Sequence, residues 1–316
     1  MTLASVPIPA VTGIESVDVI GNPCTAGGRG LRTAVTAAHH LAARGVRVRR
    51  LRGTTPETTI ELVRRRLSRP DRPDAIVCAG GDELISLVLQ AISATGVPLG
   101  ILPTGQRDDL AAELGIPLGD PQAAADVVLA GNRREIDVGV VDTAPGSRVA
   151  TGRTWFATVL YAGTDTRIAD RTNRSWFPSR HTSLIELASG TARPFRIELS
   201  CGGNLSAPTV IETEALMVAV GNTRVCGGKL ICPDARLDDG LLDVTVIGAV
   251  NRMEATCLLT MLAAGRAISH RAVAYYRAAV VSVHCPEVHA IVNGAPLSAL
   301  PVTVRAVPAG QSILVP

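Results

Sequence analysis

The chain has 316 residues, 47% of them hydrophobic but only 3% aromatic, so its core is aliphatic and its length suits two domains. A formal net charge of +3 is too small to argue for a nucleic-acid partner, and no apolar run reaches the roughly 18 residues of a membrane span. The seven cysteines (Cys24, Cys78, Cys201, Cys226, Cys232, Cys257, Cys285) are odd in number and contain no Cys-x-x-Cys pair; this predicts reduced thiols in a cytoplasmic protein and argues against zinc.

The first strand is expected at Val17–Ile20. Ahead of it stand Pro7 and Pro9 and no lysine or arginine, unlike a secretory signal. A glycine-rich turn from Gly21 to Gly30 then opens a helix running to about Arg44. Val46–Leu51 alternates apolar and charged residues, as a half-buried strand does. Pro56 suits the first turn of a helix that ends near Pro70. The next strand, 74–79, stops abruptly at Gly80-Gly81-Asp82, and a helix follows from Asp82 to about Ala94. Val97–Leu102 leads into Pro103-Thr-Gly-Gln-Arg-Asp-Asp109 and a further helix. Strand and helix in alternation predict a parallel sheet with helices on both faces. Ligands in such sheets bind at the carboxyl ends of the strands, where the loops 22–30, 80–84 and 103–109 all fall.

Gly80 and Gly81 lack a Cβ, so a ligand can approach the backbone there, and the positive end of the following helix favours a phosphate. Asp82 suits that arrangement if it shares a magnesium ion with the phosphate. The alternative is a plain strand-to-helix turn with an acidic first-turn residue. Lys229, the only lysine, is followed by Leu230, so the chain has no P-loop of the Gly-x-x-x-x-Gly-Lys-Ser/Thr type. Gly28-x-Gly30 gives a weak dinucleotide-binding reading, opposed by the long turn, by Thr33 at the third glycine position and by the lack of an acidic residue closing the second strand.

Beyond about residue 135 the pattern becomes β-rich. Strands are expected at Ile136–Asp142, Thr154–Tyr161, Arg196–Ser200, Leu216–Val220, Leu241–Ile247, Val280–His284, Ala290–Val292 and Val302–Ala306. Asn251-Arg-Met-Glu254 reads as a capping box starting a helix to about Ala264.

In order along the chain, these segments resemble the bacterial diacylglycerol kinase family, whose catalytic core is shared with sphingosine kinases and, more distantly, NAD kinases. The family's Asn-Pro-x-Ser-Gly loop corresponds to Asn22-Pro23-Cys24-Thr25-Ala26. Its Gly-Gly-Asp-Gly-Thr loop corresponds to Gly80-Gly81-Asp82-Glu83-Leu84, and its Pro-x-Gly-Thr-x-Asn-Asp loop to Pro103–Asp109. Asp239-Gly-Leu-Leu-Asp243 matches the Asp-Gly-x-Leu-Asp signature. The resemblance implies an α/β nucleotide domain of NAD kinase type (1–140 with 300–316) and a β-sandwich-like lipid or substrate domain (141–299). It implies ATP and Mg²⁺ as cofactors, a lipid substrate at a membrane surface, and a cytoplasmic protein that visits the inner membrane face. The nucleotide contacts it implies are Asn22, Pro23, Cys24, Thr25, Ala26, Thr54, Gly80, Gly81, Asp82, Ser86, Gly105, Gln106 and Asp109, with Asp82 catalytic. The implied metal site is Asp239 with the carbonyls of Arg236 and Leu241.

The chain departs from the family where chemistry is expected. The family's general base is the Glu of an Asp-Gly-Glu triplet; here the triplet is Asn293-Gly294-Ala295. An amide and a methyl cannot take a proton at neutral pH, and losing a positioned base costs about 10²–10⁴-fold. Glu287 or His289 is a candidate substitute. Leu84 offers phosphate no hydroxyl, and Glu83 adds negative charge. Two functions stay open: an ATP-dependent lipid kinase acting on a primary hydroxyl, diacylglycerol foremost, with weakened catalysis, or a catalytically silent homologue that binds nucleotide or lipid as a regulator. The arginines at 44–52 and 64–69 suit an anionic membrane surface or simply a solvated face. Trp176-Phe177-Pro178 suits an acyl pocket or ordinary packing.

Overall fold

The computed structural model describes residues 13–21, 28–105, 108–142, 153–163, 191–201, 207–286, 288–292 and 295–316. Residues 22–26, Gln106, Arg107, the Trp176 triplet, Glu287 and Asn293 lie outside them.

The first half runs β1 (Ser16–Gly21), α1 (Arg29–Ala43), β2 (Arg47–Leu51), α2 (Pro56–Leu67), β3 (Ala75–Ala79), α3 (Asp82–Ile92), β4 (Leu99–Leu102), α4 (Asp109–Glu113) and α5 (Pro121–Ala130). The strands are parallel in the order β4-β3-β1-β2. β3 and β4 are buried at every residue, as strands covered on both faces must be, whereas β2 forms an edge and carries its arginines outward. α1 buries Ala34, Ala37, Ala38 and Leu41 at helical spacing. The Pro56 start holds: Thr55 caps α2 in a reciprocal pair with Thr58. α5 was not anticipated, although its signals are ordinary. Asp120 accepts the N–H groups of Gln122 and Ala123, Pro121 stands at the first helical position, and Gly131 closes the end in the left-handed conformation.

The second half comprises β5 (Arg133–Asp142), β6 (Arg153–Phe156), β7 (Val159–Ala162), β8 (Arg193–Ser200), β9 (Thr209–Gly221), β10 (Val225–Cys226), β11 (Lys229–Leu230), β12 (Leu242–Gly248), α6 (Arg252–Ala263), β13 (Val273–Ala278), β14 (Val280–His284), β15 (His289–Val292), β16 (Ala295–Ala299) and β17 (Val302–Leu314). The Asn251–Glu254 capping box forms as expected. The single strand expected over Thr154–Tyr161 is two. β6 pairs with β5, while β7 pairs with β9 and β15, so the chain changes partners at Ala157-Thr158. A period-2 pattern runs on through such a switch and cannot reveal it. β10, β11, β13 and β16 are further strands that the sequence pattern does not single out.

β17 ties the two halves together. Its start pairs with β14, its length runs antiparallel to β5, and Ile313 meets Leu99 of β4. One aliphatic core lies around the parallel sheet, and two more lie between the second-half strands and under α6. Gln90 on α3 fastens helix to sheet across the junction. It donates to Trp155 O at 2.7 Å and accepts from Trp155 N at 2.9 Å.

Candidate active site

The cleft is built at the carboxyl ends of β1, β2, β3 and β4. At Gly80 the chain must turn hard against its own helix, because a Cβ there would lie 2.7 Å from Leu84 Cδ2. α3 then begins at Gly81 with no side chain capping it, as an anion-accepting helix end requires.

Asp82 is 4% exposed, and its carboxylate reaches the third loop, not outward. Oδ2 accepts Asp109 N–H at 3.1 Å and Oδ1 accepts Leu110 N–H at 3.2 Å, so one side chain caps α4 and locks two loops together. Burial, with the neighbouring Asp109 charge, pushes its pKa well above the carboxylate range against the pull of those two N–H donors. A carboxyl with a raised folded-state pKa stabilises fully only below its unfolded value and loses that stability as pH rises through the folded one. The urea stability of the wild type relative to Asp82→Asn should therefore fall steadily as pH rises above about 4. A difference that stays flat to pH 8 would contradict the assignment.

The third loop is folded by Asp108, which accepts Gly105 N–H at 2.6 Å and Thr104 N–H at 3.4 Å. Thr104 Oγ1 is buried and has no hydrogen-bond partner, which leaves a hydroxyl for a ligand. Arg29, in the first turn of α1, comes across to this loop: a Cβ on Gly105 would lie 3.7 Å from its Nη1. Arg29 escaped the sequence reading, although an arginine inside a glycine-rich turn is itself a phosphate signal. The uncapped α3 end, the Thr104 hydroxyl and this guanidinium together fit a nucleotide phosphate chain.

Asp109 and Glu113 share one face of α4 and reach the second half. Asp109 accepts Gly228 N–H at 3.1 Å and Glu113 accepts Arg224 N–H at 3.0 Å. Thr54 lies between β2 and α2, where its N–H donates to Thr58 Oγ1, and Ser86 sits half-buried on α3. Leu84 does not face the cleft. It is 1% exposed and belongs to the core, so its loss of a hydroxyl reflects packing.

Asp137, unremarked in the sequence, anchors the wall. It is 3% exposed, with Oδ2 accepting Gly240 N–H at 2.6 Å and Oδ1 accepting Ala309 N–H at 2.9 Å. Its own N–H meets Leu237 O, and its carbonyl accepts from the fully buried Asn222. Gly240 takes φ +74°, which a side chain would resist.

At Asp239 the donors are oxygen, which suits a hard cation, but they are already engaged. Oδ1 accepts Leu241 N–H at 3.0 Å and Oδ2 pairs with Arg277 Nη2. Arg277 Nε also lies 3.6 Å from Asp243 Oδ1. The Arg236 side chain turns to Asp238, its Nε 4.0 Å from Oδ1. With both Asp239 oxygens engaged, the set keeps only the carbonyls of Arg236 and Leu241 and so does not fit a resident divalent ion, and among the described residues no group of three or more His, Cys, Asp or Glu side chains does.

Ala295 opens β16 opposite Val292, and Val292 lies beside Leu160 of β7. Val292 and Ala295 therefore fall at the sheet end that carries Thr158 and Asn222. His289 stands at the far end of β15, three residues or roughly 10 Å from Val292, which argues against it as a substitute base.

Comparison with known proteins covers most of the chain. Residues 16–141 match the diacylglycerol kinase catalytic domain family, and residues 158–315 match the YegS C-terminal NAD kinase beta sandwich-like domain. A diacylglycerol kinase of Mycobacterium tuberculosis is 32% identical over 309 residues, 96% of each chain. One of Bacillus subtilis is 28% identical over 217 residues, 68% of each. The crystal structure of a diacylglycerol kinase from Bacillus anthracis str. Sterne superposes with TM-score 0.69 at 17% identity, covering 96% of this chain and 97% of that one, a likeness of fold.

Proposed function

The chain belongs to the diacylglycerol kinase family, and we propose that it is an ATP-dependent lipid kinase of reduced rate, acting on the primary hydroxyl of diacylglycerol. The observation that carries this is the convergence of three distant loops on one cleft. Asp82 joins the second loop to the third, and Asp109 joins the third to the 224–230 segment.

ATP with its accompanying Mg²⁺ supplies the electrophilic phosphoryl group, and the protein's part is chiefly positioning and charge neutralisation. In this reading Gly80, Gly81 and Thr104 border the phosphates, and Arg29 balances their charge. Thr54 and Ser86 lie around the same space, with Asn22–Ala26 and Gln106 as further nucleotide contacts. Asp82 acts on the third loop, as a positioning residue. The acceptor hydroxyl lies near the Asn293-Gly294-Ala295 triplet in this reading, where Ala295 offers no group to take its proton.

A second reading, a nucleotide-binding regulator without turnover, is favoured by that same alanine. Calorimetric titration with Mg·ATP is expected to show saturable binding that Asp82→Ala weakens, since freeing the third loop disorders the cleft. A flat titration of the wild type would contradict both readings.

The edge strand suggests how a lipid substrate is reached. Arg47, Arg49 and Arg50 on β2, with Arg52 just beyond, are exposed and point away from the core. No described helix is long and apolar enough to cross a membrane. Replacing the four arginines by glutamine is expected to weaken binding to anionic phospholipid vesicles by about 10³-fold, with the wild-type affinity falling as salt rises. Equal, salt-insensitive binding of both proteins would remove this surface from the account.

A further inference from the structure

We propose that in this chain the Asp239–Asp243 turn is closed by the guanidinium of Arg277, in the place where the family resemblance implies a divalent cation, so that its folding needs no resident metal. The inference stands whether or not the kinase reading holds.

Three observations carry it. Arg277 is the cross-strand partner of Asp243 in the β12–β13 register, so the backbone itself delivers the guanidinium to the turn. From there it spans both ends of the motif, pairing with Asp239 Oδ2 and lying 3.6 Å from Asp243 Oδ1. Side-chain exposures of 18% for Asp239 and 9% for Asp243 make an uncompensated pair of carboxylates costly, and a fixed cation beside them offsets part of that cost. The rest of the turn is already fastened. Asp137 holds Gly240 N–H, Leu237 O holds Asp137 N–H, and Asp239 Oδ1 holds Leu241 N–H.

A guanidinium and a hydrated divalent ion compete for the same oxygens. Arginine holds its charge at all relevant pH and donates in a fixed fork, so once placed it gives a permanent counter-charge. Removing it should uncover two facing carboxylates, the start of an oxygen-ligand cation site.

The test uses the full chain without nucleotide, with Mn²⁺ as spectroscopic probe and Mg²⁺ or EDTA in thermal unfolding. The wild type is expected to melt at the same temperature in EDTA and in millimolar Mg²⁺ and to show no Mn²⁺ site that Asp239→Asn abolishes. Arg277→Gln is expected to melt about 3–6 °C lower in EDTA, to recover in Mg²⁺, and to gain a Mn²⁺ site that Arg277→Gln with Asp239→Asn lacks. A wild-type chain that binds Mn²⁺ tightly through Asp239, or that Mg²⁺ stabilises by several degrees, would overturn the proposal. So would an Arg277→Gln chain with unchanged melting and no new site. If Arg277→Gln fails to fold in EDTA, folding restored by Mg²⁺ supports the proposal, and failure in both media overturns it.

Discussion

Restoring the two missing carboxylates, Asn293→Asp with Ala295→Glu, should raise phosphoryl transfer to diacylglycerol by about 10²-fold or more. A positioned general base contributes about 10²–10⁴-fold, and neither an amide nor a methyl supplies one. The topology favours success. Ala295 opens β16 directly opposite Val292, so a side chain there grows from a paired strand end, not a free loop. Single substitutions separate the roles: Ala295→Glu should carry most of the gain, and Asn293→Asp alone little. A doubly substituted enzyme that binds Mg·ATP normally yet leaves diacylglycerol untouched would mean that the acceptor is another lipid. The companion change suggested by motif matching, Leu84→Thr, should not help. It puts a hydroxyl into the core where Leu84 packs against Gly80, with an expected cost of about 2–4 kcal/mol in stability.

Asp137→Ala should be the most destabilising single change around the cleft, by about 3–5 kcal/mol in urea unfolding. It removes a buried, charged acceptor from the N–H groups of half-buried Gly240 and exposed Ala309, and a hydrogen bond to a charged group contributes about 1.5–3 kcal/mol. The damage should extend beyond stability. Asp137 links the β5 wall to the turn at Gly240 and to the irregularity in β17 between Val307 and Gln311, where that strand changes register with β5. Asp137→Asn keeps one acceptor oxygen and should lose about half as much. A loss below 1 kcal/mol for Asp137→Ala would show that water replaces the carboxylate and that the junction is looser than its hydrogen bonds indicate.

The parts of this architecture carried by local pattern could be read from the chain itself. The parallel half was legible because strand runs end in glycine and proline and because α1 and α3 keep a helical apolar stripe. Leu84, Ile85, Val88, Leu89 and Ile92 form that stripe on α3, so the burial of Leu84 was also visible. Matching Leu84 to a threonine in a motif obscured it. The loops at 80–82 and 103–109 stand out by their glycines and carboxylates, and Asp82 joins them as a clamp. What stayed hidden depends on partners far away in sequence. Asp137 meets Gly240 across 103 positions and Ala309 across 172, and Gln90 meets Trp155 across 65. No periodicity records such pairings. The same holds for Arg277, whose role follows from the β12–β13 register alone.

The central claim is tested most directly by transfer of label from radiolabelled ATP to diacylglycerol in mixed micelles with Mg²⁺. The wild-type chain should form labelled phosphatidic acid slowly, Asp82→Ala should form far less, and Asn293→Asp with Ala295→Glu should form about 10²-fold more. Equal labelling by all three proteins, or none from the restored variant with any lipid alcohol despite normal Mg·ATP binding, would contradict the assignment of this cleft to lipid phosphorylation.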